Sequence, residues 1–264
     1  NILLGVRALF IASDNVTRAE FRDYVTSLDL KQRYPGVRVI HYAQRVPQAG
    51  LAAFEAAVRR DKTVDPAGYP GFALKPPGAR PEYFVVKFVE PMAGNEGAPG
   101  LDLGGDEIRL AALMRARDSG QPVATGPIAL ALDQTRRPGV AVRLATYRNS
   151  MPPATLDERR KLFQGVVSAS FVMNDIMRGV LHEQFLQNIH LRIRDEGYLD
   201  APATAPADAA LMFDSDRLLP QGQAVSTAAL PWLTQESQFD FSGRRWKLVF
   251  EARESFVPAA DRYR

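Results

Sequence analysis

Tyr83-Phe-Val-Val-Lys-Phe-Val89, closed by Glu90-Pro91, is the stretch on which the fold reading turns. β-Branched and aromatic residues dominate it, and the proline cannot continue a ladder, so it reads as a buried strand. Downstream, glycines at 94, 97, 100, 104 and 105 are interleaved with Pro91 and Pro99, which makes a turn region and not a phosphate cradle. Asp106 is placed to cap a helix over about 107–118, and Gly120 to end it. Strands follow at 123–125, at 140–147 after Arg137-Pro-Gly139, and at 165–171, with a helix over 157–163 between the last two.

Upstream of the deciding strand, five prolines at 66, 70, 76, 77 and 81 mark a loop, with a short pairing possible at Phe72-Ala-Leu74. Before it come a helix over 51–59 and an alternating strand over 37–42. The first thirty or so residues carry helical spacing: Phe21, Tyr24, Val25 and Leu28, with Leu3, Val6 and Phe10 earlier. One helix of roughly 28 residues would be about 42 Å long. It reads either as a long packed helix or as a stalk that pairs with a second copy of the chain.

The C-terminal part repeats the outline. A helix over 174–186 leads to the strand Ile189-His-Leu191-Arg-Ile193, then to an Ala/Pro-rich loop over 199–209. Phe239-Asp-Phe241, Ser242-Gly243 and Trp246-Lys-Leu248-Val-Phe250 read as a hairpin. The expected fold is α+β with antiparallel sheets: a stalk helix over 1–31, a module over 32–172 and a second module over 173–264.

Composition excludes several functions. The chain has 264 residues, 46% of them hydrophobic, and its 33 basic against 30 acidic residues are scattered. No nucleic-acid partner is expected, since such proteins concentrate positive charge on one face. No apolar run approaches the ~18–20 residues that span a bilayer. With no cysteine there is no thiol catalysis, thiolate zinc site or disulfide. His41, His182 and His190 include no pair at metal-binding helical spacing. No catalytic residue, metal set or cofactor is assigned, and three function classes stay open: a ligand sensor, an acid–base enzyme, and a soluble small-molecule binding protein.

Two groups of residues carry a resemblance. One is Tyr34-Pro-Gly36-Val, Glu82-Tyr83-Phe, and Phe88-Val-Glu90-Pro91 through Asn95 to Gly100-Leu-Asp102-Leu103. The other is Arg115-Ala-Arg-Asp-Ser-Gly120 followed by Thr125-Gly-Pro127-Ile-Ala-Leu130. In this order and spacing the chain resembles the CHASE domain, the extracytoplasmic sensor of plant cytokinin receptor kinases and of bacterial histidine kinases and diguanylate cyclases. The resemblance implies a long N-terminal helix and two PAS-like modules, the membrane-distal one holding a small-molecule ligand. It also implies flanking transmembrane helices outside this sequence, a periplasmic position on an inner-membrane protein, and a signalling role without catalysis.

The resemblance implies a site as well. The position that holds the adenine ring in the plant receptors falls at Arg109, and the threonine that meets the hormone tail falls at Arg143. Leu113, Thr125, Leu130, Ala131, Tyr147, Val166 and Ser168 complete the implied lining. Arginine offers donors only, so two arginines facing one pocket point to a small anion; a cytokinin or adenine-type ligand is the alternative. Read from the residues alone, Arg109 also suits the margin of an apolar stripe, and Arg143, between Ala141 and Ala145, suits a pocket or a solvated face. Asp102 reads as a structural residue that binds backbone amides in its turn.

Overall fold

The computed structural model describes residues 2–13, 15–129, 138–148, 153–202, 209–219 and 229–257. The chain opens with three helices, α1 (Ile2–Ala12), α2 (Arg18–Ser27) and α3 (Leu30–Arg33), which corrects the single long helix expected from the spacing. The break has a local cause. Thr17 accepts the N–H of Glu20 on its side chain, while the Glu20 carboxylate accepts the Thr17 N–H at 2.8 Å, a capping box that starts a new helix. The packing agrees, because Leu3 and Val6 of α1 share one core with Phe21 and Val25 of α2. Gly5 lies so close to the Tyr24 hydroxyl that a Cβ there would collide.

There follow β1 (Val37–Pro47), α4 (Leu51–Arg59), β2 (Glu82–Glu90), α5 (Glu107–Ser119), β3 (Val123–Ala124), β4 (Ile128–Ala129), β5 (Pro138–Tyr147), α6 (Leu156–Leu162) and β6 (Phe163–Val172). These strands make one antiparallel sheet in the order β2-β1-β6-β5-β3, with β4 also on β5. Asp106 caps α5 by accepting the Arg109 N–H, and Gly120 ends it at φ 69°, a left-handed conformation that glycine takes without strain.

The rest of the chain forms α7 (Met173–Val180), α8 (Glu183–Asn188), β7 (Ile189–Tyr198), β8 (Ala210–Asp214), β9 (Ala229–Phe241) and β10 (Arg244–Arg253). The helix expected over 174–186 is therefore two, parted by extended backbone at Leu181 and His182. Gly179 and β-branched Val180, both weak helix formers, precede that break. The four strands pair antiparallel in the order β8-β7-β10-β9. The fold is thus a mixture of helices and antiparallel sheets, and among the described residues no helix is long and apolar enough to cross a membrane.

Two layers cover the larger sheet. On one face Ile40, Tyr42, Val142, Leu144 and Val167 pack under α1 and α2. On the other, Ala43, Phe84, Ala145, Tyr147 and Val166 pack under Leu113 of α5. That second face is filled over only half of its length. Where the strands run on to Val39, Ala141 and Val172, beyond the first turn of α5, a cavity opens.

Candidate functional site

Strand register builds the floor of this cavity. Arg143 of β5 stands opposite Ser168 of β6, and Ser168 stands opposite His41 of β1. Partners directly across an antiparallel pair point to the same face, so the three residues form a polar row across an otherwise apolar sheet. One step along, Ala141, Ser170 and Val39 form the next row. The segment from Pro91 to Leu103 covers the space, with Ala93, Gly94, Asn95 and Ala98 lining it. Asn95 donates from Nδ2 to the Pro91 carbonyl at 2.8 Å, and Asp102 accepts the N–H groups of Phe84 and Gly104 at 2.9 Å each. Gly100, at φ 88° against the Ala73 carbonyl, allows the close approach of this cover to the loop beneath it. The enclosed volume is about 520 Å³.

Both arginines line it. Arg109 reaches in from the first turn of α5, its Nη2 donating to the Ala129 carbonyl at 2.8 Å and its Nη1 lying 3.1 Å from Asp106 Oδ2. Arg143 is 1% exposed; its Nη1 donates to Ser168 Oγ at 3.2 Å, and its Nε has no partner. No Asp or Glu is among the described lining residues. Burial, with the repulsion of Arg109 behind it, pushes Arg143 down to about 9. Burial together with the charges of Arg143 and Arg109 pushes the His41 imidazole down to about 3, so His41 is neutral at ordinary pH, and its buried Nε2 also has no partner. Among the described residues the cavity thus holds a desolvated guanidinium with no direct acidic partner, Asp106 acting on it only from beside Arg109, next to a neutral imidazole whose Nε2 is unpartnered.

The remaining residues implied by the resemblance are distributed differently. Ser168 holds Arg143 from the same row of the sheet. Leu113, Tyr147 and Val166 do not line the cavity; they fill the closed half of the same face. Leu113 lies one turn beyond Arg109, where the helix meets the sheet, and the Tyr147 hydroxyl donates to the Arg117 carbonyl at 2.5 Å. Thr125 is fully buried and accepts the Ala141 N–H on Oγ1 at 3.0 Å, tying β5 to the segment after β3. Leu130 and Ala131 lie outside the described residues. His41 and Ser170 are lining residues that the sequence did not single out, because a lone histidine or serine in a strand carries no signal until its cross-strand partners are known.

The smaller sheet carries a second polar group of residues. His190 Nε2 is 2.9 Å from Asp214 Oδ1 and its Nδ1 is 3.2 Å from Glu251 Oε2, while Asp216 pairs with Arg253 and Glu251 with Arg192. Glu251 and Asp216 already have arginine partners and Asp214 holds His190, so this network braces β7 against β8 and β10.

A family model described as the CHASE domain matches residues 14–213, well over half of the chain. No curated relative matches by sequence. Among solved structures, the chain is similar to the periplasmic sensory domain of the Campylobacter jejuni chemoreceptor Tlp1, at 10% identity and a TM-score of 0.49, covering 96% of this chain and 85% of that one. It is also similar to the ligand-binding domain of the Pseudomonas aeruginosa PAO1 amino acid chemoreceptor PctC in complex with GABA, at 9% identity and a TM-score of 0.45, covering 95% and 88%. A third, the extracellular ligand binding receptor from Desulfohalobium retbaense DSM5692, has 12% identity and a TM-score of 0.47; this chain is covered over 94% of its length and spans 36% of that one. By its family match the chain belongs to the CHASE domains, which are extracellular ligand-binding sensor domains.

Proposed function

We propose that the cavity between the larger sheet and the first turn of α5 is the sensing site, and that its ligand is a small organic anion held by Arg143 and Arg109. The observation that carries this reading is Arg143, a buried lining residue of the cavity that makes no ion pair with any described acid. A buried charge without a partner is costly, and an entering anion removes that cost while making charge-assisted hydrogen bonds of about 1.5–3 kcal/mol each. Arg109 supports the same polarity from the opposite wall, although Asp106 already neutralises part of its charge. An adenine-type ligand fits this wall less well, since arginine cannot accept a hydrogen bond from an exocyclic amino group.

In this reading the chain is a non-catalytic input domain, divided at about residues 31 and 172 into a helical segment, a membrane-distal PAS-like ligand module and a membrane-proximal PAS-like module. The parent protein would be a histidine kinase or a diguanylate cyclase of the inner membrane, its periplasmic part paired with a second copy through the N-terminal helices. Because α1 and α2 pack on the sheet that floors the cavity, a change at the floor is felt at those helices.

A thermal-shift screen of small carboxylates, amino acids and adenine derivatives tests the ligand class. Ligand at about 100 times its dissociation constant adds about 2.7 kcal/mol to stability. Acids are expected to raise the melting temperature of the natural protein and not that of Arg143→Met. A shift given by adenines alone, or an acid response that survives in Arg143→Met, contradicts the reading.

A further inference from the structure

We infer that the ligand is a monocarboxylate with an apolar body and no ammonium group: an aliphatic or arylalkanoic acid, and neither an amino acid nor a dicarboxylate. This rests on the anion-binding reading above and narrows it. Three features of the cavity carry it.

The first is the charge balance. Arg109 has Asp106 at 3.1 Å, and Arg38 at the rim lies 3.5 Å from Asp175, whereas among the described residues Arg143 donates only to the neutral Ser168 and feels Asp106 from beside Arg109. Two guanidinium groups that share one nearby described acid, Asp106, leave about one positive charge, desolvated at Arg143, to be met by one negative charge. Lys31 and the half-exposed Arg38 face water at the mouth, where a second carboxylate gains little over its own hydration. The second is the lack of an acid among the described lining residues. An α-ammonium brought in beside Arg143 and Arg109 would be desolvated next to two like charges, while the described acid beside them, Asp106, is already engaged with Arg109. The neutral His41 offers its free Nε2 to a carboxylate oxygen or a hydroxyl and supplies no counter-charge. The third is the shape of the lining. Away from the polar row the walls are Val39, Val86, Leu101, Leu103, Ile128 and Val172, which suit a hydrocarbon or aryl body. At about 520 Å³ the space has ample room for such a body behind the carboxylate.

Calorimetric titration of the natural protein with two matched ligand families tests this without any variant. The first family is hexanoate, hexanamide, norleucine and adipate; the second is 3-phenylpropionate, 3-phenylpropanamide and phenylalanine. Within a family the body is kept while the charge is removed, an ammonium is added or a second carboxylate is added. The expected result is saturable binding of at least one of the two simple acids, with its amide, its amino acid and, for hexanoate, adipate each weaker by at least about tenfold. An amino acid or adipate that binds as tightly as the parent acid overturns the assigned class and leaves the anion site standing. An amide that binds as tightly as its acid overturns both the class and the anion reading. Failure of both simple acids to bind overturns the class, and the anion reading is then decided separately by the acid response of Arg143→Met.

Discussion

Arg143 and His41 show how strand register brings two side chains of ordinary composition to one cavity floor. Arg143 sits between two alanines on its strand, and those small neighbours leave the guanidinium room to lie along the sheet toward Ser168. Among the described residues it is a desolvated charge hydrogen-bonded only to the neutral Ser168, so replacing it by a long apolar side chain removes a cost as well as a contact. Arg143→Met is therefore expected to leave the melting temperature of the ligand-free protein unchanged or higher; a marked fall would mean that the guanidinium is a structural anchor. His41 adds a pH dependence whose sign is fixed. Its pKa is lowered to about 3 in the folded chain, against about 6.5 when unfolded, so below pH ~6.5 the unfolded chain binds a proton that the folded one does not. Stability is then full above about 6.5 and is lost as the pH falls toward 3. Denaturant melts at neutral and mildly acidic pH should show His41→Gln losing less stability between the two than the natural protein does, and equal losses would argue against a buried neutral histidine.

At the scale of elements, the helix break after α1 is where the sequence was hardest to read. The apolar spacing of Leu3, Val6 and Phe10 continues in phase into Phe21 and Val25 because both helices bury their stripes against the same sheet. Periodicity alone could not reveal the break, whereas Thr17-Arg-Ala-Glu20, a capping-box signature, could have. Thr17→Ala is expected to cost about 1 kcal/mol in chemical denaturation, and no change would mean that the box contributes nothing. Elements with strong local signals were legible. The strand at 83–89, the α5 helix between Asp106 and Gly120, and the helix at 51–59 all form where propensity, caps and periodicity agree. β8 was missed because it is a short edge strand, held by pairing to β7 more than by any pattern of its own. The site was legible in proportion. Resemblance and strand alternation pointed to Arg109 and Arg143, while Leu113, Tyr147 and Val166 share their face yet fall in its filled half. Which half is open depends on where α5 starts along the sheet, a tertiary fact that no spacing encodes.

Over the whole molecule, the two sheets meet where the ligand-side helix ends. α5 carries Arg109 in its first turn and Arg115 near its last, and the Arg115 guanidinium lies 3.9 Å from the ring centre of Tyr198, at the end of β7. On the same ring, Arg244 of β10 sits at 4.1 Å while making a buried, two-pronged pair with Asp195. Beside them the Ala124 N–H donates to the Ser242 carbonyl at 2.9 Å, across from the β9–β10 turn. If an anion bound by Arg109 and Arg143 shifts α5, the Arg115–Tyr198 contact is the route by which the smaller sheet would register it. Hydrogen exchange with and without a binding acid should therefore show altered protection in β7 and β10 of the natural protein and not of Tyr198→Ala, with the acid still bound. Protection changes that persist in Tyr198→Ala would place the coupling elsewhere.

Anion binding at Arg143 is read most directly at its unpartnered Nε–H. Nitrogen NMR of arginine-labelled protein reads this atom directly, with Arg143→Met identifying its resonance by absence. On saturation with a simple acid such as 3-phenylpropionate, that Nε–H signal is expected to move downfield and to exchange more slowly with water. A signal that stays in place while the acid binds would contradict it.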